Sequence, residues 1–126
     1  MTTGEDNLDT LYSRKQVLLS QLRDNLKKQD EILSYYDGDN SVQLTLENEN
    51  LTKELQKLDL QIEGMENQGI SPKPETLESI KTVLLECLDL EPRVLKKMLV
   101  VKEMFREELN QFSVKRQLKQ YLSREK

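Results

Sequence analysis

Apolar positions along the chain recur with gaps that alternate between four and three residues. That is the spacing of a helix that pairs with another helix. The clearest run is Leu44, Asn48, Leu51, Leu55, Leu58, Ile62 and Met65, with a single polar member. A stripe this narrow cannot be buried by its own helix, so a second wall must come from the same chain folded back or from another protein. An earlier run, Leu8, Tyr12, Lys15, Leu19, Leu22, Leu26, Gln29, Leu33 and Tyr36, keeps the same spacing, and Leu11, Leu18 and Ile32 widen it. It predicts a helix over 7–36.

Between the two runs lies Asp37-Gly38-Asp39-Asn40-Ser41. Gly and Asn tolerate positive φ, and Asp, Asn and Ser bond their own backbone, so a turn is expected at 37–41. It either reverses the chain into a helical hairpin or kinks two collinear rods. Ser41 is the candidate cap of the second helix, although the capping-box position three residues on holds Leu44 instead of an acid. A second break is expected at 67–74, where Gly69 suits a helix end and two prolines hold Ser71 and Lys73 extended.

The pattern then thickens. Leu77, Ile80, Val83, Leu84, Leu85, Cys87, Leu88 and Leu90 would cover most of one side of a short helix over 75–90. Pro92 interrupts, and is compatible with the first turn of a new helix. Val94, Leu95, Met98, Leu99, Val100 and Val101 extend the apolar zone, which makes 77–101 a small core or a docking element. In the last helix Leu95, Met98, Phe105, Leu109 and Phe112 continue a seam past the polar Lys102. The seam weakens at Arg116 and Lys119, and Leu118 and Leu122 resume it in a shifted phase.

These elements predict an all-α protein: an elongated broken coiled coil of several helices, with a short apolar helical segment near 75–101. Its parts would be a flexible N-terminus at 1–6, acidic heptad helices over 7–66, a Gly/Pro linker at 67–74, and an apolar helix plus a long basic helix over 75–126. Composition agrees. A third of the residues are charged, 36% are apolar, and Trp, His and Ala are absent. Leu, Glu, Lys and Gln dominate, unbranched side chains that lose little freedom in a helix. The net charge of −4 conceals an asymmetry, because 1–91 carries −10 and 92–126 carries +6. The two regions are expected to meet each other or to meet different partners.

Candidate chemistry is sparse. Without His, no triad or dyad using that base can form. Glycines at 4, 38, 64 and 69 make no phosphate-cradling loop. A single thiol, Cys87, supplies neither a disulfide nor a zinc site, and its helical spacing reads as a buried, inert residue. A calcium loop starting at Asp37 would need Gly at Val42 and Glu at Asn48. Asn48 is either a register device that pairs with another polar group or a frayed, hydrated position, and Lys15 and Gln29 invite the same two readings. The aromatics read as seam packing, with only Tyr121 placed near basic residues. The acceptor triplet Asn50-Leu51-Thr52 falls inside the central helix and reads as accidental. An acidic, polar start and the lack of any apolar run near ~20 residues predict a chain of the cytoplasm or nucleus, neither secreted nor transmembrane.

The function expected from this pattern is structural and non-enzymatic, with no cofactor, metal or small-molecule substrate. Partner-binding residues would be Leu19, Leu22, Leu26 and Leu33 on the first seam and Leu51, Leu55, Leu58 and Ile62 on the second. Leu84, Leu88, Leu95, Met98, Phe105, Leu109 and Phe112 would follow in the last region. The partners would be other coiled-coil proteins in a hetero-oligomer. The basic residues Lys115, Arg116, Lys119 and Arg124 would end a solvated helix, meet acidic helices of this chain or a partner, or contact phosphate. The layout, a broken coiled coil in a small acidic chain, resembles subunits of kinetochore, spindle and membrane-tethering complexes, with chromosome segregation the first choice. Two competing readings are a nucleic-acid or chromatin adaptor acting through the basic helix, and a self-contained bundle in which the acidic and basic regions pair.

Overall fold

A computed structural model describes the backbone of residues 4–124 and, within it, the side chains of 7–107, 116–120 and 122. It contains α1 (Gly4–Leu33), α2 (Gly38–Glu66) and α3 (Pro74–Arg124). α1 lies between the other two, packing against both, while α2 and α3 barely touch. The cross-links define the directions. Tyr12 meets Glu66, Lys15 meets Asp59 and Gln29 meets Ser41, so α2 runs antiparallel to α1. Asp9 meets Lys73, Arg23 meets Glu86 and Asp30 meets Arg93, so α3 runs parallel to α1.

The fold is therefore a helical bundle and not an elongated coiled coil. The reason is the first break, which acts as a hairpin. α1 ends in a Schellman arrangement: the Asp37 amide donates to the Ile32 carbonyl at 3.1 Å and the Tyr36 amide to the Leu33 carbonyl at 3.0 Å. Its left-handed residue is Tyr36, with φ 60°. The turn thus falls at 34–37, earlier than the 37–41 expected from its glycine. The cap of α2 is Asp37, not Ser41: its carboxylate accepts from the Asn40 amide at 3.2 Å. Gly38 serves a different purpose. A Cβ there would sit 2.9 Å from the Phe105 ring and 3.2 Å from Val101, so glycine lets the start of α2 lie close against α3. The second break matches the expected chemistry. Gly69 adopts φ +87° after α2, and Pro74 opens α3.

A further expectation also fails. The chain does not form a short helix over 75–90 followed by a new one at Pro92. α3 is a single helix of 51 residues, about 75 Å long, with Pro92 inside it. A proline here removes one backbone bond and costs about 3 kcal/mol. It is tolerated because it faces outward while Leu90 and Val94, on either side, are anchored in the core.

The core is built from the two early seams and one stripe of α3. Leu8, Tyr12, Leu19, Leu26 and Leu33 come from α1, Leu55 and Ile62 from α2, and Ile80, Val83, Cys87, Leu90, Val94 and Val101 from α3. The acidic and basic regions do meet within the chain. Asp30 takes Arg93 at 2.7 Å and Lys97 at 2.8 Å. Asn48 is part of a register layer. Gln29, only 1% exposed, accepts from Asn48 at 2.9 Å and donates to the Ser41 carbonyl and the Thr45 hydroxyl at 3.0 Å each.

Candidate partner-docking face

α3 carries two apolar stripes where a simple seam helix has one. The inner stripe, Ile80, Val83, Cys87, Leu90, Val94 and Val101, keeps the three-four spacing and is buried against α1. Its one polar position, Lys97, escapes burial by reaching Asp30 and the Ser34 hydroxyl. The outer stripe lies about a third of a turn round the helix. Leu77 and Leu84 repeat at seven residues, as do Leu88 and Leu95, and Leu85 and Leu99 widen the face. All six are exposed, Leu88 at 60% and Leu95 at 53%.

Because α2 and α3 diverge, α1 is left uncovered between them. A groove of about 710 Å³ results, floored by Leu19, Leu22 and Leu26 and walled by Leu55 on α2 and Leu84 and Leu95 on α3. It continues into a second, more apolar depression of about 620 Å³ beside the start of α2, lined by Leu33, Gly38, Val42, Leu99 and Phe105. Leu95 and Met98 border both. The charged rim residues Glu49, Lys53 and Glu91 have mixed sign, and the Lys15–Asp59 pair at 2.7 Å ties α1 to α2 across the groove. The three helices thus leave one open trough, where a four-helix bundle would carry its fourth helix.

The seams predicted to bind partners divide sharply. Leu19, Leu26, Leu33, Leu55, Leu58 and Ile62 are buried within the chain, with Leu22, Leu51 and Met98 half-buried. Their second wall is another helix of the same protein. Leu84, Leu88, Leu95 and Phe105 remain exposed, as do Arg116 and Lys119. Leu109, Phe112, Lys115 and Arg124 lie outside the residues whose side chains are described. Leu77, Leu85 and Leu99, which belong to the 77–101 segment expected to form a core or docking element, join the open face with Val42, which the sequence left unassigned. The double heptad of α3 was the available signal. For the Gly38–Phe105 approach there was none.

Two titratable groups are perturbed by packing. Burial, reinforced by the hydrogen bond to Glu66 and by the charge of Asp59, pushes the Tyr12 hydroxyl up to about 12. Burial also raises the Cys87 thiol, against the pull of Arg23, and its sulfur lies 3.7 Å from the Leu19 carbonyl. Among the described residues no three Cys, Asp or Glu side chains gather as a metal site. None of the helices is long and apolar enough, over those residues, to cross a membrane.

No protein-family model, curated protein or solved structure matches the chain. The open trough and the outer stripe of α3 are therefore the observations on which function rests.

Proposed function

We propose that this chain is a non-enzymatic structural subunit that docks a helix of another protein against the outer stripe of α3. The observation that carries the reading is the exposure of Leu77, Leu84, Leu85 and Leu88 on one face of α3, which reaches the trough between α2 and α3 at Leu84 and Leu95. Contiguous apolar surface of this kind marks an interaction site. A helix bearing apolar residues at heptad spacing would complete the bundle. The absence of His and the burial of the one thiol support a structural role over a catalytic one.

The early seams are spent inside the chain, so partner choice moves to α3. The chromosome-segregation setting expected from the sequence stays a proposal, since the elongated layout that suggested it closes into a bundle. Affinity capture from native extract tests the reading. Leu84→Asp with Leu88→Asp places two unpaired charges on the docking face and should abolish capture of the partner, with the thermal midpoint of the free protein unchanged. Retained capture would refute it. Leu55→Asp is the wrong probe, because it buries a charge in the bundle itself.

A further inference from the structure

We infer that Ser71 is a modification site: a proline-directed protein kinase transfers the γ-phosphoryl group of ATP to its hydroxyl, and the phosphate draws Lys73 away from Asp9. This does not depend on the docking face. In the transfer, the Ser71 Oγ bonds to the γ-phosphorus and the bond from that phosphorus to the β,γ-bridging oxygen breaks. ADP leaves, and the hydroxyl proton passes to the kinase's catalytic carboxylate. Such an enzyme needs a serine or threonine followed at once by proline, in extended and accessible chain. Proline supplies both the missing N–H and the extended geometry of the residue before it. Ser71-Pro72 is the one such pair in the sequence.

The fold presents this pair. Ile70 packs against the core and α3 starts at Pro74, so residues 71–73 are strung between two anchors and belong to no helix. Ser34 and Ser71 are the only described serines or threonines outside a helix. Ser34 is engaged: its hydroxyl donates to the Asp30 carbonyl at 2.9 Å and accepts from Lys97 at 2.8 Å. The Ser71 hydroxyl is exposed and has no partner among the described residues. Lys73 is what a phosphate there would meet. Ser71 and Lys73 both precede proline, and in extended chain residues two apart share a side, about 6.5 Å from one another. Lys73 is also the only cation between Lys57 and Lys81, so none nearby along the chain competes for the phosphate. Its ammonium lies 3.5 Å from Asp9 Oδ2, a pair that joins the start of α3 to the start of α1. Asp9 holds it weakly, with Oδ1 buried and without a hydrogen bond among the described residues. A phosphoserine brings about −1.5 to −2 charges and three acceptor oxygens, which outweigh the single charge of Asp9. Once Lys73 turns to the phosphate, the first turns of α1 lose this tie to α3.

Incubation of the full chain with ATP and a proline-directed serine/threonine kinase, followed by mass spectrometry of the intact protein and its peptides, tests the site. One phosphate is expected, at Ser71. Incorporation should vanish in Ser71→Ala and fall at least about tenfold in Pro72→Ala, which keeps the hydroxyl and loses the recognition. Amide hydrogen exchange then tests the consequence. In the phosphorylated protein it should quicken at least about threefold across the first two turns of α1 and stay unchanged around Gln29. Unphosphorylated Lys73→Gln should quicken the same amides, and phosphorylation of that variant should add nothing further. An unmodified Ser71, or equal modification of Pro72→Ala, overturns the site. Unchanged exchange at the start of α1, or a further increase on phosphorylation of Lys73→Gln, overturns the transfer of Lys73 from Asp9 to the phosphate. None of these results bears on capture of another protein through Leu84 and Leu88, which is read separately from extract.

Discussion

The layer at Gln29 offers the sharpest test of the hairpin. Gln29 uses both amide hydrogens and its carbonyl, bonding Ser41, Thr45 and Asn48 at 2.9 to 3.0 Å, and Asn25 donates to Asn48 at 3.0 Å behind it. Replacing Gln29 with Met keeps most of the volume and removes the polar partner. The Ser41 carbonyl keeps the bond from the Thr45 hydroxyl at 3.1 Å, so the main loss is one donor of Asn48, which is half-buried and partly rehydrated. That sets the cost at about 1–2 kcal/mol. Gln29→Ala adds a cavity and should cost about 2–4 kcal/mol. Urea unfolding followed by far-UV circular dichroism measures both. The layer also fixes alignment, because a slip of one heptad would set Gln29 against Leu55. Leucine at both 29 and 48 should therefore preserve or raise stability while admitting other registers, visible as concentration-dependent oligomers. A Gln29→Met protein as stable as the parent, together with a Leu/Leu variant that retains a single register, would refute the reasoning.

Other consequences follow from single groups. The Tyr12 hydroxyl is raised from 10.0 to about 12, so its contribution is complete below pH 10 and disappears as pH climbs through about 12. Unfolding free energy should fall by about 2–3 kcal/mol across that window, and Tyr12→Phe should flatten this part of the profile. Cys87 is buried with a raised thiol, so at about pH 8 a thiol reagent should modify it at the rate of opening, and urea should release it to the rate of a free cysteine. Tyr36 holds a left-handed conformation that costs an L-residue about 1–2 kcal/mol, so Tyr36→Gly should stabilise the protein by about 0.5–1 kcal/mol in the same urea titration.

Much of the helical architecture could be read from the residues. The four-three spacing gives α1 and α2 over nearly their observed lengths, and Gly69 with Pro72 and Pro74 marks the break before α3. Direction was harder to read. A heptad demands a wall without naming its source, and both outcomes of the first turn leave the same pattern in the sequence. The choice rests on Tyr36 accepting a positive φ and on Gly38 admitting Phe105, neither of which a turn propensity reveals. Pro92 misled in the opposite direction. Local chemistry favoured a helix boundary, and burial of Leu90 and Val94 on one face of a long helix outweighed it. The docking face was partly legible. Residues 77–101 held more apolar surface than one seam needs, but separating the inner stripe from the outer required knowing where α1 lies.

Two seams close within the chain, and the outer stripe of α3 is left for the proposed partner. Crosslinking mass spectrometry on native extract tests both halves at once. The account predicts intrachain links between α1 and both other helices, such as Lys15 to Lys57 and Lys27 to Lys81. It also predicts links from Lys81, which sits among the outer leucines of α3, to a helix of a different protein. Links joining α1 and α2 to other proteins in place of each other, with Lys81 joined to none, would contradict it.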